Sequence, residues 1–306
     1  MPSKGLISHS LPTTTDSDPK LHARVEYCAA RLSLLPYIFA STGQNMFIHR
    51  QTMQAVHTPS LQQAMSACAL YAIKTPHTQA VVHQVLQNNV QDLLASTDPS
   101  SSSSLNLLTA TQALLLYQLM RLFDGDDQLR LSAEADEGIT LLWAKELRLR
   151  VCHVAPRQDK TAPASFATFS RTPEDEDWLA WLFSESIHRT VVTAFMLQGV
   201  YNYHKMGDST PAVIGVYFTA QAALWDAQSD ISWQQARQRR LELQVLMNAW
   251  DDVMALASPG DLEELAVLVM SMLWGLKPTQ NWLGYDHSIK YGLDCQSWTQ
   301  NGLALC

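Results

Sequence analysis

The sequence predicts an all-α protein, a multi-helix array in a single domain. Three observations carry this. Apolar residues recur at steps of three and four over most of the chain, the period of an amphipathic helix. One run, "LNLLTATQALLLYQLMRLF" (105–123), is apolar on nearly every side, as a central helix requires. A single short run, "AVIGVYF" (212–218), looks strongly like a strand.

The elements follow in order. Residues 1–20 are rich in Ser, Thr, Pro and Asp and are expected to form a disordered tail, leaving 21–306 as the helical domain. "PSLQQAMSACALYAIKT" (59–75) opens on Pro59 and Ser60 and places Leu61, Ala64, Met65, Cys68 and Tyr71 on one face, before Pro76 ends it. Val81, Val85, Leu86, Val90, Leu93 and Leu94 continue the period over 77–96. The polar "TDPSSSSS" (97–104) separates that helix from the central one. After a second linker at 152–171, a long helix is expected over 171–203, with Thr172 as cap, Pro173 at the first helical position and Asp175 completing a capping pattern. Further helices read at 233–257 and 261–275, and the tail after Pro278 shows no clear period.

Composition limits function. Apolar residues make up 47% of the 306 and charged residues 16%, enough for a sizeable core. The net charge of −8 does not supply the positive field that phosphate binding needs, so no direct nucleic-acid binding by this chain alone is expected. The five cysteines (Cys28, Cys68, Cys152, Cys295, Cys306) are never spaced C-x-x-C, which excludes a zinc motif built from local pairs and favours a reducing compartment. The first twenty residues hold no apolar stretch of a secretory signal, and no window is long and apolar enough for a membrane span.

The most conspicuous local feature is "LFDGDDQLRLSAEADE" (122–137). An EF-hand starting at Asp124 would need Gly and Glu where Leu129 and Ala135 stand. A diphosphate-binding acid cluster would need carboxylates along one helical face, but Gly125 interrupts Asp124, Asp126 and Asp127. No metal site is therefore expected. The run reads instead as a corner between two helices, with Asp126 or Asp127 as cap, Arg121 and Arg130 as ion-pair partners, and Leu129, Ala133, Ile139 and Leu142 facing inward while Glu134, Asp136 and Glu137 are solvated.

No phosphate loop, nucleophile elbow or H-E-x-x-H motif is present, and no cofactor is implied. If the chain were an enzyme, His188 and Glu185, one turn apart in "SESIHRT", would be the first candidates for acid–base work, with Tyr201, Tyr203 and His204 beyond them. Trp178, Trp181 and Trp225 are the candidates for an aromatic ligand cavity, with core packing as the default role. Arg189 lies four residues after Glu185, in the favourable orientation for an ion pair.

Four stretches together resemble the fungal-specific transcription factor domain, the helical regulatory region of zinc-cluster regulators. They are "LQQAMSACALYAIKT" (61–75), "LLTATQALLLYQLMRLFDGDDQLRLSAEADEGITLLWAKEL" (107–147), "WLAWLFSESIHRTVVTAFMLQGVY" (178–201) and "LWDAQSDISW" (224–233). The sequence departs from the family pattern in having His188 where arginine is usual, and in having one cysteine before residue 60 where the family carries a six-cysteine zinc cluster. The resemblance implies a transcriptional regulator, located in the nucleus or shared between nucleus and cytoplasm, controlling a specialised-metabolite gene cluster. It would act through a protein partner, through homo- or heterodimerisation with a DNA-binding regulator, or through a small hydrophobic ligand. The alternative is an enzyme or binding protein of specialised metabolism acting on a hydrophobic metabolite. A third reading places a zinc cluster upstream of Met1 in a longer gene.

Overall fold

The computed structural model describes residues 19–55, 58–152, 173–207, 216–239, 243–246 and 250–294. Among them are twelve α-helices and one two-stranded ribbon. The helices are α1 (Pro19–Thr42), α2 (Arg50–Ala55), α3 (Pro59–Ala72), α4 (Gln79–Ser96), α5 (Ser104–Phe123), α6 (Asp127–Cys152), α7 (Pro173–Met206), α8 (Ala222–Trp225), α9 (Asp230–Arg239), α10 (Trp250–Met254), α11 (Glu264–Trp274) and α12 (Leu276–Lys290). The strands are β1 (Tyr217–Thr219) and β2 (Gln244–Leu246), antiparallel, with Phe218 opposite Val245. The protein is all-α, as the sequence predicts.

α5 is the axis of the bundle. Every residue from Leu107 to Arg121 is buried, and α1, α3, α4, α6 and α7 all pack against it. An interior helix must still satisfy its polar side chains. Gln112 does so by donating to Phe47 O (2.8 Å) and Thr190 Oγ1 (3.2 Å), which ties α5 to the 43–49 loop and to α7. Ser103 caps the helix by accepting from Asn106 N.

The acid corner between α5 and α6 is a turn with Gly125 at φ 89°, a conformation that a side chain disfavours. Asp126 caps α6 by accepting from Leu129 N (2.9 Å). Asp124 points the other way and pairs with Lys74, with His83 Nε2 at 3.3 Å, so the corner is clamped to the end of α3 and to α4. Arg130 pairs with Asp127 (2.7 Å), whereas Arg121 reaches Asp136 (2.7 Å) rather than the turn itself. Among the described residues no group of three or more His, Cys, Asp or Glu is placed to hold a metal ion.

Several expectations change. α1 begins at Pro19, inside the segment assigned to the tail; residues 1–18 lie outside the described residues, as does Thr172, the expected cap of α7. The helix expected over 233–257 is three elements, α9, β2 and α10. Leu243 and Val245 are buried while Gln244 and Leu246 are exposed, a period of two that pairs with β1 instead of coiling. The stretch after Pro278 is helical: α12 takes Pro278 in its first turn, where no amide bond is lost, and breaks locally at Gly284 (φ 73°). Leu142, expected inside, is 56% exposed, and Glu134 and Asp136, expected in solvent, are half-buried and bonded. α6 is rotated so that Leu129, Ala133, Trp143, Ala144 and Leu147 form its inner face.

Candidate functional site

The sequence candidates on α7 fall on different faces and levels. α7 rises about 1.5 Å per residue, so His188 and Tyr201 stand roughly 20 Å apart along it. His188 is buried against the Tyr217 ring (4.1 Å between centroids), and burial pushes it down to about 4. Lys205 holds Glu134 Oε2 at 2.8 Å and Tyr201 donates to Oε1, and these two bonds, that of Lys205 first, lower the Glu134 carboxyl. Tyr203 turns toward α1, its ring near His22 (6.1 Å) and its buried hydroxyl without a hydrogen-bond partner among the described residues. His204 Nδ1 lies 3.4 Å from Glu26. The fold therefore does not bring His188, Tyr201, Tyr203 and His204 to one place.

It does gather charge around Arg189. The guanidinium is fully buried. Its Nε donates to Glu185 Oε1 (2.7 Å), Nη1 to Met46 O (3.0 Å) and Nη2 to Thr219 O (2.6 Å), while Glu263 Oε2 lies 3.2 Å from Nη1. Trp225 covers it, 4.1 Å from Cζ to the ring centroid, a cation–π contact. Glu185 also accepts from Thr219 N (2.8 Å) and Oγ1 (3.1 Å), and Glu263 caps α11 through Leu265 N and Ala266 N. One side chain thus joins α7, the 43–49 loop, β1, α8 and the start of α11.

Two carboxylates sharing one buried cation are under-compensated. Burial raises Glu185, with Arg189 pulling it back, and raises Glu263 to about 7 against the same opposing pull. Glu263 lies more than seventy positions from Arg189 in the chain, and its place at the start of an apolar helical run is the one signal the sequence holds for it.

Trp178 and Trp225 lie in a second apolar cluster with Leu105, Leu182, Leu224 and Trp233, and Trp181 packs on its rim. Trp181 and Trp233 rings are 5.6 Å apart. His49, pushed down to about 4 by burial, sits edge-on to Trp225 (5.3 Å) and Trp178 (6.4 Å), and Trp225 Nε1 donates to Asn45 O (3.1 Å). The three tryptophans proposed for ligand binding are packed against one another's neighbours.

A small groove of about 20 Å³, open to solvent, lies elsewhere, among α5, α6 and α7. Gln118, Glu134, Glu137, Thr140, Gln198 and Tyr201 supply its polar lining. Gln118 donates to Ala133 O and Thr140 Oγ1, and its own carbonyl oxygen and Glu137 Oε1 are buried without donors among the described residues. The groove therefore offers acceptors to a small hydrogen-bond donor.

No family model matches the chain, and no solved structure matches it. Among curated proteins it is 44% identical over 292 residues to the transcription factor gsfR2 of Penicillium aethiopicum, a match that covers 94% of this chain and 69% of that one. At that identity over nearly the whole chain, the chain belongs to the family of this fungal transcription factor.

Proposed function

We propose that the chain is a transcriptional regulator that works in the nucleus as a helical effector module, controlling a specialised-metabolite gene cluster through a protein partner. The observation that carries this reading is the similarity to gsfR2 along nearly the full chain. The charge distribution supports the indirect mode of action. The chain carries 29 acidic against 21 basic residues, and several of its basic side chains are committed to carboxylates: Arg31 to Glu264, Lys74 to Asp124, Arg121 to Asp136, Arg189 to Glu185 and Lys205 to Glu134. Such engaged cations contribute little to a phosphate-binding face.

Deletion of the gene tests the proposal, with transcripts and metabolites measured together. A fall in the transcripts of a linked set of biosynthetic genes is expected. Unchanged transcripts with one accumulating intermediate would sink the regulatory reading and replace it with an enzymatic one. The purified chain is expected not to shift promoter DNA at physiological salt.

A further inference from the structure

Two acceptors in the groove among α5, α6 and α7 have no donor, and the packing around them fixes that state. Ala133, Glu137 and Thr140 follow at steps of four and three, along one face of α6. The Gln118 amide bonds to the first and last of them, Ala133 O at 3.1 Å and Thr140 Oγ1 at 3.3 Å, so it lies across from Glu137. Its orientation is forced. A carbonyl such as that of Ala133 only accepts, and the Thr140 hydroxyl donates its proton to Asp136 O (3.3 Å), so both require the NH2 end of the amide. The carbonyl end is left over, in a residue only 2% exposed. It and Glu137 Oε1 are buried without donors among the described residues.

Charge narrows what belongs there. Two carboxylates line the groove, Glu134 and Glu137. Glu134 is already engaged, with Lys205 on Oε2 and Tyr201 on Oε1. Glu137 is left without a cation among the described residues. The Tyr201 hydroxyl, its proton committed to Glu134, adds a third acceptor oxygen to the lining. A buried carboxylate oxygen is stabilised by a positive partner that brings its own N–H groups.

Size and walls set the rest. A space of about 20 Å³ holds one head group the size of a water molecule. A bare hard metal ion takes about six oxygens, more than the unengaged acceptors here supply. A lone water brings two protons to three acceptors, and no charge. An ammonium group brings at least three N–H donors and a positive charge. The remaining wall is apolar, with Leu122, Leu141, Ala194 and Leu197, and the groove is open to solvent. A short alkyl tail therefore has an apolar surface to lie on as it leaves the mouth.

We propose that the groove binds the ammonium group of a short primary alkylamine, or ammonium itself, with its N–H groups donating to Gln118 Oε1, Glu137 Oε1 and the Tyr201 hydroxyl oxygen. The site is a property of the α5–α6–α7 packing and does not rest on the transcriptional reading.

Urea unfolding of the full chain near neutral pH, in equal concentrations of ethylammonium, ammonium, potassium or tetramethylammonium chloride, tests this. Ethylammonium is expected to raise the midpoint over potassium, lowering the unfolding constant about tenfold at ten times its Kd. Tetramethylammonium, with the same charge and no N–H, should act like potassium. Ammonium at least matching ethylammonium identifies the free ion as the ligand; ethylammonium acting more strongly identifies the amine. Glu137→Gln should abolish the shift without loss of the fold, because its own amide donates to Gln118 Oε1 in the ligand's place and keeps the potassium midpoint at or above that of the parent. Asp127→Asn removes one charge from the same helix outside the groove and should keep the shift. Equal midpoints in ethylammonium and potassium, a shift shared by tetramethylammonium, persistence of the shift in Glu137→Gln or its loss in Asp127→Asn overturns the assignment. So does a Glu137→Gln chain less stable than the parent in potassium.

Discussion

Arg189→Met removes the cation that joins five segments while keeping most of the side-chain volume. Glu185 and Glu263 are then both buried without a counter-charge, and breaking one buried pair costs about 3–5 kcal/mol. The carbonyls of Met46 and Thr219 lose their donors, at about 1–3 kcal/mol for each group left unsatisfied. The acids limit the damage by taking up protons instead of remaining charged. A net loss of about 4–6 kcal/mol follows above neutrality, against a total stability of about 5–15 kcal/mol for a folded domain. Glu263 already carries a proton below about 7, so the loss should shrink at acid pH. Urea unfolding followed by tryptophan fluorescence, which Trp225 reports from beside the guanidinium, measures this on either side of that value. The triple variant with Glu185→Gln and Glu263→Gln should recover more than half of the loss. A cost under about 1 kcal/mol, or one that is the same at both pH values, refutes the argument that Arg189 is held by charge compensation.

The other predictions concern the same core. Glu263 has a folded value near 7, above its ordinary 4.5, so its contribution to stability is complete below 4.5 and is lost as pH rises through about 7. Glu263→Gln should remove that decline, of about 3 kcal/mol at most, in urea midpoints measured across pH. His49 and His188 have the opposite sign: with folded values near 4 against 6.5, their contribution is present above 6.5 and is lost as pH falls toward 4. His188→Gln should flatten part of the acid limb in the same titration. Trp225→Phe keeps an aromatic ring but strands Asn45 O and weakens the contact on Arg189, and should cost about 1–3 kcal/mol in thermal or urea unfolding. Gly275→Ala should destabilise by about 1–3 kcal/mol, because Gly275 has φ 97° and an added Cβ would lie 2.9 Å from Arg24 Nη2; the midpoint shift should diminish when Arg24 is shortened to alanine in the same chain.

Sequence alone determined the all-α class and the position of α3, α4, α5 and α7, because a three–four apolar period is a local property that burial on one side only reinforces. It determined the acid corner for the same reason: Gly125 and the capping Asp126 act within a few residues of themselves. It placed Glu185 and Arg189 one turn apart on a single helix. Tertiary structure decided everything that depended on what lies across the core. β2 takes residues that read as helix because β1 stands beside them. α6 turns Leu142 outward because Trp143, Ala144 and Leu147 fit better against α5 and α7. Glu263 joins Arg189 from a distant part of the chain, since a guanidinium with donors left over recruits whatever carboxylate the packing delivers. Which neighbours Trp178, Trp181 and Trp225 pack against was decided in the same way: close packing of large rings is set by their neighbours in three dimensions, and periodicity along the chain carries no record of them.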